Sequence, residues 1–112
     1  MGFFDKIKKS FELKQNHPNS DSLEKTKKQI LELTKQFELN PNSSKILLEL
    51  YSCYVEISNT EKKIECLEKL SDLLPYDFYP LQQLADIYLN EINNDSKAKF
   101  YQNKANKIKN DF

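Results

Sequence analysis

The feature that most constrains this chain is a stretch written twice. Shifting residues 41–75 by 34 places lays Leu47 on Leu81, Leu50 on Leu84 and Tyr54 on Tyr88. The same shift lays Ile64 on Ala98, Leu67 on Tyr101, Ser71 on Ala105 and Leu74 on Ile108. Pro41 and Pro75 mark the unit at that spacing. A period of this length describes one supersecondary unit that cannot bury its apolar face alone, so each copy must stack on the next. The expected fold is all-α, with antiparallel helix pairs stacked side by side.

Composition supports the same class. One glycine and four prolines are too few turn residues for a sandwich or barrel, and no stretch alternates with the period of a strand. A chain of 112 residues holds one domain, read as a degenerate pair over 1–40 followed by repeats at 42–75 and 76–109. All 17 basic residues are lysine and are balanced by 17 acids, which implies no overall attraction to nucleic acid or to anionic membrane. No run has the apolar length of a membrane span or a signal peptide. Two cysteines are too few for a disulfide framework, so the expected location is cytoplasmic.

In chain order, residues 1–14 place Phe3, Phe4, Ile7 and Phe11 on one side of a helix and carry a net charge of about +2. That helix can pack its Phe face on the domain, or lie on a membrane surface as a basic amphipathic anchor. N-myristoylation is disfavoured, because Lys6 stands where the acceptor pattern wants Ser or Thr. Pro18 and the surrounding Asn/Ser/Asp cluster break the chain. Asp21 and Glu24 have capping-box spacing for a helix reaching Leu39 and burying Leu23, Ile30, Leu33 and Phe37.

A third helix, capped by Asn42, Ser43 or Ser44, carries Ile46, Leu47, Leu50, Cys53, Tyr54 and Ile57. After the Ser58-Asn59-Thr60 turn its partner carries Ile64, Leu67, Leu70 and Leu74. Asp77 caps the next helix, with Pro80 in its first turn and Leu81, Leu84, Ala85, Tyr88 and Ile92 on its buried face. The sixth and last presents Ala98, Tyr101, Ala105 and Ile108.

The run Leu84-Ala85-Asp86-Ile87-Tyr88, followed by Ala98, Tyr101 and Ala105, resembles the tetratricopeptide repeat, a 34-residue helix–turn–helix unit. The resemblance implies a short α-solenoid of about six helices. Small residues at those places let the two helices of a pair approach closely, and the aromatic fills the gap between pairs. This chain departs from the pattern in several places. Tyr51 stands where the family has a small residue, implying more open packing there, and Ile64 and Ser71 replace the second-helix alanines. The turns within pairs are one residue longer than is typical of the family and lack its glycine, and the first pair matches only in its second helix, at Ile30, Leu33 and Phe37. Other α-solenoids share this period, and a plain helical bundle accommodates residues 42–109 equally. So short an array leaves Ile108 and Phe112 without a following element: either the tail folds back, or the apolar end face is left to a partner or to a second copy, with weak self-association as a homodimer the favoured expectation.

Chemistry-bearing residues are sparse. His17 is the single histidine and sits in a loop; Cys53 and Cys66 lack metal-ligand spacing and fall near apolar helix faces. Glu61, Glu65, Glu68 and Asp72 alternate with Lys62, Lys63 and Lys69 as a solvated, ion-paired face. No phosphate-cradling glycine loop exists. The expectation is therefore a non-enzymatic chain with no catalytic residue, no metal and no cofactor. Lys97, Lys99, Lys104, Lys107 and Lys109 near Phe100 and Tyr101 could suggest RNA, but arginine is absent and the rest of the chain offsets the charge.

The resemblance places a binding wall on the first helix of each pair. It implies Lys45, Leu48, Ser52, Val55 and Glu56 in one pair and Tyr79, Gln82, Asp86, Leu89 and Asn90 in the next. Some family members clamp a chaperone's C-terminal carboxylate there with lysine and asparagine. Leu48, Ser52, Gln82 and Asp86 offer no such cation, so an amphipathic helix or an extended segment with a positive residue fits better. The bland alternative is an exposed wall with no ligand. The expected role is an adaptor binding a protein or peptide partner, the alternative a peripheral membrane protein anchored by its N-terminal helix.

Overall fold

The computed structural model describes residues 20–111, which are all-helical and contain no strand. They form α1 (Ser20–Leu39), α2 (Ser44–Glu56), α3 (Thr60–Leu73), α4 (Tyr79–Asn90) and α5 (Asp95–Asp111). Five of the six expected helices therefore fall where the periodicity puts them. The helix expected over residues 1–14, with Phe3, Phe4, Ile7 and Phe11, lies outside the described residues, as do His17 and Phe112.

Local chemistry sets the boundaries. Ser43 caps α2 by accepting the Ile46 amide at 3.2 Å, and Asn59 caps α3 by accepting the Lys62 amide at 3.1 Å. Asn94 accepts the Lys97 amide in the same way at the head of α5. Two expected caps move. Asp21 lies inside the first turn of α1, which begins at Ser20. Asp77 sits one residue ahead of the α4 cap, Phe78, and accepts the Tyr79 amide at 2.9 Å. Ser58 (φ 55°) and Asn93 (φ 61°) take the left-handed conformation that glycine would adopt at no steric cost.

The turns within pairs differ in length, and this corrects the sequence register. Residues 57–59 join α2 to α3, whereas 91–94 join α4 to α5. The 34-residue shift therefore holds from α2 to α4, where Leu47, Leu50, Tyr51 and Cys53 match Leu81, Leu84, Ala85 and Ile87, all buried. From α3 to α5 the caps Asn59 and Asn94 are one residue further apart. The fully buried Leu70, not Ser71, then corresponds to the fully buried Ala105.

Each helix packs on its neighbours in sequence: α1 on α2, α2 on α3, α3 on α4, α4 on α5. One continuous core runs from Leu33 through Leu47, Leu50, Leu67, Leu70 and Leu84 to Ala105. Ile30, Phe37 and Ile108 pack against it, half-buried. Leu23 and Ile92 do not, at 46% and 41% exposed. The 20 residues of α1 outreach the 13 of α2, so nothing on α2 covers Leu23, and Ile92 falls in the turn past α4. Tyr51 is 7% exposed and belongs to the core.

Glu61, Lys62, Glu65, Glu68, Lys69 and Asp72 are exposed as expected, with Lys62 paired to Glu65 at 3.0 Å, but Lys63 departs from that solvated face. Its side chain is 9% exposed, and its ammonium donates to both oxygens of Glu91 at 2.9 Å. The Thr60 hydroxyl donates to the same carboxylate at 2.9 Å. A similar tie lies one repeat earlier, where the Thr26 hydroxyl donates to Glu56 at 2.8 Å. Threonines on α1 and α3 thus each hold a glutamate at the C-terminal end of the following helix.

Two stability outcomes follow from this packing. Glu91→Ala strands the Lys63 ammonium and should cost about 2 kcal/mol in urea denaturation, discounted because Glu91 is partly solvated. Lys63→Met combined with Glu91→Gln should recover most of that loss. Tyr51→Ala should cost about 3–4 kcal/mol, as a large ring deleted from a packed interior. A loss below about 1 kcal/mol would mean that the site collapses around the cavity.

Candidate functional site

The ten candidate groove residues all lie on α2 and α4. Lys45, Leu48 and Ser52 point outward on α2, and Val55 is half-buried. On α4, Tyr79, Leu89 and Asn90 are exposed, whereas Gln82 and Asp86 are half-buried. The apolar members offer real surface: Leu48 is 40% exposed, Tyr79 41% and Leu89 49%.

Three polar members are already engaged. Glu56, although exposed, is held by Thr26. The Gln82 and Gln102 carboxamides exchange hydrogen bonds at 2.7 and 3.0 Å, joining α4 to α5. Lys109 donates to the Gln82 carbonyl oxygen at 2.9 Å, and Gln102 donates onward to Asn106 at 2.9 Å. Gln82 also lies 3.4 Å from an Asp86 carboxylate oxygen. The second pair therefore presents a satisfied polar ladder at the register where the first presents Leu48. A partner reaching Gln82 must exchange one of these bonds, which costs about what it returns.

Tyr51 feels groups of both helices. Burial raises its phenol pKa far above the ordinary range, and the nearby Tyr79, Glu91 and Asp86 add to the shift. Those three groups belong to α4 or the turn after it, so Tyr51 of α2 stands where the two helices come near each other. Its bulk, at the position matched by Ala85 in the next pair, is the sequence signal of that place.

The remaining chemistry-bearing groups are quiet. Burial raises the Cys66 thiol to about 11, and Cys53 moves the same way through burial and the carboxylates Glu56 and Glu49. Both are free and buried, so neither is a poised nucleophile. Among the described residues no cluster of His, Cys, Asp or Glu could hold a metal ion. No described helix is long and apolar enough to cross a membrane. The α5 lysines are partly spent on aromatic rings: Lys97 lies 5.2 Å from the Tyr88 centroid, Lys104 4.7 Å from Phe100 and Lys109 4.9 Å from Phe78. The surface of α2 and α4 sets exposed apolar side chains, Leu48, Tyr79 and Leu89, among polar ones held by hydrogen bonds. No family model and no curated protein matches the chain.

The thiols give a pH test. The fold favours the neutral thiol, so the Cys66 contribution to stability is complete below its ordinary value of 9.0 and is lost as pH rises toward 11. Stability measured from pH 8 to 11 should fall, and Cys66→Ala should flatten that slope. Native-state reaction with a thiol reagent at pH 8 should be slow for both cysteines and fast in denaturant. Rapid native labelling of Cys66 would contradict its burial.

Proposed function

We propose that this chain is a non-enzymatic protein-binding module. In this reading it is a short tetratricopeptide-like array whose α2–α4 wall takes a peptide or helix of a partner protein, with no cofactor. The observation carrying it is the trio Leu48, Tyr79 and Leu89, each at least 40% exposed on helices whose other large apolar faces are used up in the core. An exposed apolar set rimmed by polar groups is the ordinary mark of an interaction site. The packing of each helix on its sequence neighbours, and the polar tie repeated along the chain, support a stacked array over a closed bundle.

Charge narrows the partner. The wall residues themselves carry Glu56 and Asp86 against Lys45, so a segment with a positive residue suits it better than an acidic one. The membrane-anchor alternative rests on Phe3, Phe4, Ile7 and Phe11, and no described feature favours it.

The test is affinity capture of partners by the full chain and by Leu48→Glu with Leu89→Lys, both changed side chains being exposed. Capture should drop about tenfold or more while circular dichroism stays unchanged. Undiminished capture by the variant sinks the groove as the site.

A further inference from the structure

The sequence of residues 1–14 has the chemistry that the α2–α4 wall suits. It carries Phe3, Phe4, Ile7 and Phe11 at helical spacing and a net charge of about +2. The wall offers Leu48, Tyr79 and Leu89 as exposed apolar groups, with Glu56 and Asp86 against Lys45.

Exposed apolar groups on the flanking helices stand among cations and repel such a segment. On α1, Leu31 is 64% exposed, and its neighbours one turn away include Lys27, Lys28 and Lys35. On α5, Phe100 is 52% exposed between Lys97 and Lys104. Nor does α1 offer a flank like the one by which α3 meets α2. That flank runs along Cys66, whose thiol senses Cys53 of α2, and Leu70 lies one turn further on. One repeat earlier, the same places on α1 hold Glu32 and Gln36, both exposed.

The segment also joins the fold at one end of the wall. Thr26 of α1 holds the wall residue Glu56 at 2.8 Å, and Ser20, where α1 begins, is about 9 Å from Thr26 along the helix. Gln15 to Asn19 can span up to about 17 Å when extended, enough to bring the preceding residues back to Glu56. A helix over 1–14 would be about 21 Å long, and the 13 residues of α2 run about 20 Å.

We propose that residues 1–14 are the wall's own occupant, a basic amphipathic segment that lies along α2 and α4 of the same chain and must be displaced before a partner binds. The inference rests on the wall reading above. The Phe side chains meet Leu48 and Leu89, and the segment's lysines face Glu56 and Asp86.

The test follows backbone amides of the full chain by NMR, with a synthetic peptide of residues 1–14 as the probe. Phe3→Ser, Phe4→Ser and Phe11→Ser together should free the wall and move the signals around Leu48, Ser52 and Leu89. The peptide should restore those signals saturably. It should bind the unaltered chain about fivefold more weakly, because the chain's own segment competes at high effective concentration. Adding Leu48→Glu with Leu89→Lys should abolish peptide binding. Equal affinity for the two chains, or no saturable shift, overturns the inference. Shifts around Leu23 and Leu31 in place of the wall also overturn it, as does a dependence on dilution, which assigns the segment to a second copy. Partner capture reads the wall independently: a capture that Leu48→Glu with Leu89→Lys still weakens leaves the wall standing when the self-occupancy falls.

Discussion

Leu67 and Leu70 of α3 have no exposure at all, and the rest of the described chain depends on that. α3 is the helix against which α2 folds back and α4 docks. Burying these two leucines contributes roughly 1.5–3 kcal/mol each. They do so only while helices lie on both sides. Because each helix packs on its sequence neighbours, the core is a line of contacts rather than a centre. The polar ties stand at the margins of that line. Thr26–Glu56 and Thr60–Glu91 set how far one helix slides along the next, while the leucines supply most of the free energy. Lys63 makes the second tie ionic. A buried pair of that kind contributes more to registration than to net stability.

Much of this was legible before any coordinates. Leu47, Leu50, Leu84 and Tyr88 announce themselves by recurrence, because a duplicated unit must bury the same face twice. The misses have identifiable causes. Lys63 sits in a Glu-Lys-Lys run that reads as solvated, and its partner Glu91 is 28 residues away, beyond any local pattern. Leu23 is misjudged because periodicity reports which face is apolar but not how long the covering helix is. Pairing Ser71 with Ala105 assumed equal turns, and one additional residue before α5 was invisible to an alignment that the remaining apolar positions tolerated.

The candidate wall was legible to a lesser degree. Seven of the ten residues are exposed and Val55, Gln82 and Asp86 are half-buried, since exposure follows from the 3.6-residue period once the core face is known. Their pairing was not readable. Nothing in Gln82 and Gln102 says that their amides face each other across two helices, and nothing in Asp86 says that it borders that exchange. Side-chain amides carry donors and acceptors alike, so sequence leaves their partners open in a way that a leucine's neighbours are not.

The four-residue turn before α5 has a consequence for how such chains diversify. A residue added in the turn carries the following helix forward by one number without turning it, so Leu70 and Ala105 keep the same fully buried place. Counted from the caps, Gln102 and Lys109 occupy the places of Leu67 and Leu74. The two helices thus share a core position while a neighbouring flank differs, leucines on one and an amide with an ammonium on the other. The turn absorbs the difference in length, and what a repeat offers its surroundings is left to the side chains of the helix itself.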